Sequence, residues 1–299
     1  MKRAVIFAHY DKDRIVDGYV IYYLKALKEI SDEIVFVSCN KISDRSGLEG
    51  LVSKVIDEEH DEYDFGSYKR GYLYLKDKLN NFDELVFVND SCYGPFYPLK
   101  NVFERMETKD CDFWGITKNN YGYRKLLFIG KRPHIQSYFM VFKKNVFTSD
   151  IFNDFMQKIT SKKNKREIIR EYEIGLSELL IKNGYKPCSF IEKYQNINNI
   201  AVLKWRQIIQ KCNMPFLKCS VPRLQNREMT TSEGWEEIIP VEYPEELIEN
   251  NLKRFDIVKN NSCPINTKRA FFDFVSNLPF ILRKLVTKII FMIFPFIKD

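Results

Sequence analysis

Histidine is scarce in this 299-residue chain: His9, His60 and His134 lie far apart. Cysteine numbers seven, an odd count, and no pair has CxxC spacing. A disulfide framework or a structural zinc site therefore has no support, and free, mostly buried thiols in a reducing compartment are expected. Glycine (12) and proline (11) are also few, so no low-complexity linker is evident. No uninterrupted stretch of 18 apolar residues occurs, which disfavours a simple spanning helix. The first apolar run, 4–8, is shorter than the roughly seven residues of a secretory signal core, and the cytoplasm is the expected compartment.

Hydrophobic residues make up 45% of the chain and charged residues 29%, the balance of a globular protein. The length suits about one to two domains and can bury a large core without staples. The net charge of +7 comes from dispersed basic residues. With no nucleic-acid-binding motif among them, no nucleic-acid partner is expected.

Apolar runs at 4–8 (AVIFA), 34–38 (IVFVS) and 85–88 (LVFV) lack alternation, as strands buried on both faces do. Between the first two, Val16, Val20, Tyr23, Leu24 and Leu27 recur at helical spacing, which completes a βαβ unit. Residues 57–64 are acidic and predicted as a loop, and 68–79 as a helix. Further helices are predicted at 101–108, 149–160, 171–183, 200–212 and 244–254, and strands at 111–116 and 136–142. The stretch 118–133 reads as a loop, and Gly184 as a helix stop. Alternating elements predict an α/β fold with a mostly parallel sheet flanked by helices. Ligands of such sheets sit beyond the carboxyl ends of the strands. That rule singles out 9–14, Asn40 and 89–91.

The segment Leu85–Pro95 (LVFVNDSCYGP) is the most informative. A carboxylate just past a buried strand can hold a divalent cation and, through it, a diphosphate, because Mg²⁺ takes one or two protein carboxylates together with phosphate oxygens. The plainer reading is that Asp90 caps a turn before Gly94-Pro95.

Six segments in order, AHYD (8–11), YDFGSYKRG (63–71), VNDSCYGP (88–95), DFWGIT (112–117), HIQSYFMVF (134–142) and PFLK (215–218), resemble the rhamnan synthesis protein F family of bacterial polysaccharide glycosyltransferases. The resemblance spans about residues 4–220. It implies a GT-A-like, Rossmann-type domain over 1–220 that uses a nucleotide sugar, with dTDP-rhamnose as donor. His9, Tyr10 and Asp11 would then line base and ribose, or form an ordinary solvated loop. Asn40 would meet the pyrimidine edge, or serve as a turn residue. Asp64, Gly66, Lys69 and Arg70 would meet donor sugar and diphosphate at a helix start, with a capped surface helix as the alternative. The common transferase signature has two carboxylates, whereas Asn89-Asp90-Ser91 offers one. Asp90 would therefore ligate Mg²⁺ or Mn²⁺ with help from water and phosphate, or basic residues would replace the metal.

The segment 171–180 resembles the helix start that carries the general base of related transferases. Glu173 is the first choice for that base and Glu171 the second, against a purely helix-capping role. His134, with Gln136 and Ser137, would face the acceptor, or His134 is a structural hydrogen-bonder. Trp114 would form a sugar-facing platform, or belongs to the core.

Residues 221–267 read as an irregular, helical extension. From Phe271 to Phe296 apolar residues fall at three- and four-residue spacing, with Arg283, Lys284 and Lys288 on another face. A basic amphipathic tail over 268–299 suits the inner face of an anionic membrane and a lipid-linked saccharide acceptor. The alternative is a helix packed on its own domain. The rival from a different class is a non-catalytic, carbohydrate-binding or scaffolding homologue in a polysaccharide assembly complex.

Overall fold

The computed structural model describes residues 1–121, 131–194, 197, 199–223 and 234–255. The βαβ unit consists of β1 (Arg3–His9), α1 (Gly18–Lys28) and β2 (Glu33–Ser38). It continues through β3 (Lys54–Asp57), α2 (Tyr63–Leu75) and β4 (Glu84–Asn89). Next come β5 (Cys92–Tyr93), α3 (Leu99–Glu107), β6 (Phe113–Gly115), β7 (Lys118–Tyr121), β8 (Lys131–Ile135) and β9 (Phe139–Lys143). Helices α4 (Lys144–Phe147), α5 (Asp150–Gln157), α6 (Lys165–Ile168) and α7 (Ile174–Lys182) follow, and β10 (Pro187–Ser189) returns to the sheet. Helices α8 (Ile200–Leu203) and α9 (Trp205–Cys212), strand β11 (Leu217–Lys218) and helix α10 (Glu246–Arg254) complete the described elements.

The main sheet has seven strands in the order β10-β6-β9-β4-β1-β2-β3. All neighbours are parallel except β9, which runs antiparallel to both β4 and β6. Side chains alternate between two apolar layers, as a period of two requires. Val5, Phe7, Val86 and Val88 face the layer holding α1, α3 and α9. Ala4, Ile6, Ala8, Leu85 and Phe87 face the layer holding α2, α5 and α7. Helices on both faces explain why these strands are continuous apolar runs.

Three departures from the sequence reading have physical causes, and one expectation, the stop at Gly184, is met. Strand β3 and the first turn of α2 occupy the ends of the segment predicted as an acidic loop. An edge strand needs little apolar character, and Lys54 is exposed at that edge. The predicted loop 118–133 begins and ends as the antiparallel pair β7–β8, outside the main sheet and with an irregular register, so apolar alternation could not reveal it. The helix predicted from 171 starts at Lys165, because Asn164 caps it by accepting a hydrogen bond from the Glu167 N–H at 3.1 Å. Gly184 has φ +87°, the left-handed turn that ends α7.

Beyond residue 220, Trp235, Tyr243, Ile248 and Leu252 are buried in the same apolar layer as α1. The predicted tail, 268–299, lies outside the described residues. No helix among the described residues is long and apolar enough to cross a membrane.

Candidate functional site

The antiparallel register of β4 and β9 sets Val88 opposite Phe139. The segments 89–91 and 136–138 therefore leave the sheet side by side, and the Asn89 N–H donates to the Tyr138 carbonyl at 3.3 Å. This rim also receives Asp64 from the first turn of α2. Its Oδ2 accepts a hydrogen bond from Asn89 Nδ2 at 2.6 Å. Asn89 Oδ1 in turn accepts from the Ser91 N–H at 3.1 Å and from the Ser91 hydroxyl.

Asp90 Oδ2 accepts the Tyr10 N–H at 2.8 Å. Among the described residues no donor reaches its other oxygen. Burial pushes its carboxyl up to about 7, against the pull of the Tyr10 N–H and with the charge of Asp64 adding to the rise. Asp64 is raised too, by burial first, although Lys165, Asn89 and Lys218 oppose the shift. Two half-buried acids beside each other, each raised, are a donor set that a divalent cation would relieve. Among the described residues no three His, Cys, Asp or Glu gather into a closed metal cage. The residues present thus fit an ion completed by phosphate oxygens rather than one enclosed by protein.

Glu173 reaches the same rim. It closes a π-helical turn, Ile169–Glu173, between α6 and α7. The wider turn displaces side chains from the α-helical register, and such turns recur at functional sites. Glu173 Oε2 accepts from the Ser137 N–H at 2.9 Å and from the Ser137 hydroxyl. Its Oε1 lies 3.6 Å from His134 Nε2. His134 Nδ1 is 2.7 Å from the Arg132 carbonyl, which only accepts, so Nδ1 carries a hydrogen. Nε2 and Oε1 face each other at a distance longer than a hydrogen bond. The helix-dipole environment expected of Glu173 is absent, because the helix starts two turns earlier.

Several predicted residues sit elsewhere. Lys69 Nζ donates to the carbonyls of Gln157 (2.9 Å) and Ile159 (2.8 Å), which ties α2 to the end of α5. Arg70 is taken by Glu58 and Glu62. Glu171 pairs with Lys162 and Arg170 at the surface. Gly66 serves packing: a Cβ there would lie 2.6 Å from the Glu62 Cβ and 2.9 Å from His60 Nδ1. Trp114 is a core residue, 1% exposed and packed on Phe103 and Phe139, and its place in the middle of β6 keeps it from any sugar.

On the β1 side, Tyr10 is exposed, whereas His9 is buried with Nδ1 3.1 Å from the Ser38 hydroxyl. Burial lowers His9 to about 4, although Asp11 opposes the shift, so its ring is neutral near pH 7. Asn40 Nδ2 donates to the Asp11 carbonyl at 2.8 Å and shapes this loop from within. Arg254, at the end of α10, grips Asp11 at 2.5 Å, Asp13 at 2.9 Å and Asp17 at 3.0 Å. Burial works to raise Asp11, but the hydrogen bonds from Arg254 and the Asp13 N–H outweigh it and hold the carboxyl below its ordinary value. Arg223 joins the lock through Asn251 (2.8 Å) and Tyr93 (3.3 Å). The sequence gives no sign of Arg223 or Arg254, since both lie in irregular stretches far from the loop they hold. Lys218 and Ser91 fall inside segments that carry the resemblance, yet no spacing rule marks them.

Fold and rim together define an α/β protein whose polar groups collect beyond the carboxyl end of β4. The chain belongs to the rhamnan synthesis protein F family, whose sequence profile matches residues 34–289. It is 30% identical over 172 residues to an uncharacterised protein of Sinorhizobium fredii, a match covering 55% of this chain and 44% of that protein. It is 28% identical over 228 residues to the virulence protein VirA of Vibrio anguillarum, covering 74% of this chain and 68% of that protein. The chain thus spans under half the length of the Sinorhizobium relative.

Among solved structures, 4-diphosphocytidyl-2C-methyl-D-erythritol synthase is similar at 12% identity and a TM-score of 0.41, over 66% of this chain and 92% of that one. The Mn/GDP form of core-mannan synthase A from Aspergillus fumigatus is similar at 10% identity and a TM-score of 0.39, over 64% of this chain and 73% of that one. Both likenesses are too slight to bear on chemistry.

Proposed function

We propose that this protein is a glycosyltransferase of surface polysaccharide synthesis with a GT-A-like domain. It moves a deoxysugar, L-rhamnose from dTDP-rhamnose, to a lipid-linked saccharide with inversion. Family membership supports the polysaccharide role. The observation that carries the chemistry is the β4–β9 register, which sets the Asp90 turn beside Ser137, the residue that Glu173 accepts from.

Tyr10, exposed beside Asp90, offers a ring for the base to stack on. Asp90, with Asp64, would hold Mg²⁺ or Mn²⁺ together with the donor's phosphates. That ion, when bound, supplies positive charge to the diphosphate. Glu173 takes the proton of the acceptor hydroxyl as its oxygen bonds to the sugar's anomeric carbon. The bond from that carbon to the diphosphate oxygen breaks, and its electron pair leaves on the phosphate. Ser137 orients Glu173 through two hydrogen bonds, with His134 beside the other oxygen. The tail at 268–299 would hold the enzyme on the inner membrane face, near a lipid-linked acceptor.

Release of nucleoside diphosphate from dTDP-rhamnose in the presence of a membrane-lipid extract tests the reading. Glu173-dependent release is the expected result. Binding of the donor with no release by the wild-type chain would instead favour the scaffolding role.

A further inference from the structure

Lys218 is the half-buried lysine of this rim, whereas Lys165, whose charge Asp64 also feels, is exposed. It lies on β11, which pairs with β5 immediately after the Asn89–Ser91 turn, with Lys218 opposite Cys92. Its ammonium donates to the Ser91 hydroxyl at 3.0 Å and lies 3.9 Å from the centre of the Tyr138 ring. The side chain is half-buried, and among the described residues it forms no ion pair. Asp64 feels its charge. A half-buried ammonium held by one hydroxyl, the Cys92 thiol and one ring face has no anion in contact with it among the described residues.

Four other cations near the strand rim, Lys69 and Arg70 among them, are occupied. Lys69 is spent on two backbone carbonyls, and Arg70 on two carboxylates. Arg223 is tied to Asn251 and Tyr93, and Arg254 to three aspartates.

We infer that Lys218 is the residue that receives the diphosphate of the donor. Ser91 and Tyr138 hold its ammonium at the rim until that anion arrives. The inference rests on the transfer reading above and deepens it. When the bond between the anomeric carbon and the diphosphate oxygen breaks, the electron pair remains on that oxygen. The Lys218 ammonium stabilises the added charge by an N–H···O hydrogen bond and keeps its proton.

Isothermal titration of the full chain with inorganic pyrophosphate, without metal, tests this directly. Lys218→Met is expected to weaken pyrophosphate binding about 10- to 100-fold, the scale of one charge-assisted hydrogen bond. Lys218→Arg should retain binding to within about threefold, because it keeps the charge. Lys69→Met should match the wild type. Lys218→Gln provides a second neutral variant, and thermal unfolding of each protein verifies that it is folded. Equal binding by wild type and both neutral variants would overturn the role of Lys218. So would an absence of binding to the wild type up to about 10 mM. If Glu173-dependent release of nucleoside diphosphate persists in either case, the transfer reading stands and Lys218 alone is removed from it. Loss of both removes the transfer reading as well.

Discussion

The two halves of the strand rim differ in how fully their charges are matched. Over β1, Asp11, Asp13 and Asp17 all close on Arg254, and Asn40 and Asn251 fill the remaining positions. Over β4, two half-buried acids are raised, and among the described residues one carboxylate oxygen has no donor and a half-buried lysine has no ion pair. Both halves place acids just past a parallel strand, and the sequence alone makes them look alike. Matched charges build a rigid wall, whereas unmatched ones store the capacity to bind.

The largest effect that sharpens this contrast belongs to Glu173. Glu173→Gln removes the base and keeps the shape, so sugar transfer should fall about 10²- to 10⁴-fold while donor binding persists. A kcat/KM measurement alongside donor titration separates the two. Next comes Trp114→Ala, which should cost about 3–5 kcal/mol in urea unfolding, because the ring is core. Unchanged stability with lost sugar binding would restore the platform role.

Asp90 tests the unmatched half itself. Its carboxyl holds a proton more tightly folded than unfolded, so its contribution is full below about pH 4 and is lost as pH rises through about 7. In metal-free buffer, Asp90→Asn should therefore be more stable than wild type at pH 8, by about 2 kcal/mol, with the gap closing near pH 4. A variant less stable at pH 8 would show that the acid is satisfied after all. On the matched side, Arg254→Met should destabilise the fold by about 2 kcal/mol, since it strands three carboxylates at a partly exposed site. The smallest effect is that of Lys69→Met, at most about 1 kcal/mol in the same unfolding assay, with unchanged pyrophosphate binding.

Buried strands were legible because their apolar runs have one cause, cover on both faces. Asp90 was legible because a chain leaving such a strand must turn where ligands bind. Trp114 was not, since a tryptophan in a short strand reads equally well as core or platform. Glu173 was found by resemblance, but its π turn was invisible: no residue pattern distinguishes five residues per hydrogen-bonded turn from four. Arg254 and Lys218 were missed as parts of the rim because their roles depend on contacts across more than a hundred residues. Local periodicity carries no trace of such pairings.

The central claim is that the rim over β4 grips a sugar-bearing diphosphate through Asp90. A thermal-shift panel of nucleoside diphosphate sugars, run with and without Mn²⁺ on wild type and Asp90→Asn, tests it most directly. One nucleotide sugar is expected to raise the unfolding temperature of the wild type, and Asp90→Asn should lose most of that rise. A panel that leaves the wild type unmoved, or shifts both proteins equally, would contradict the account.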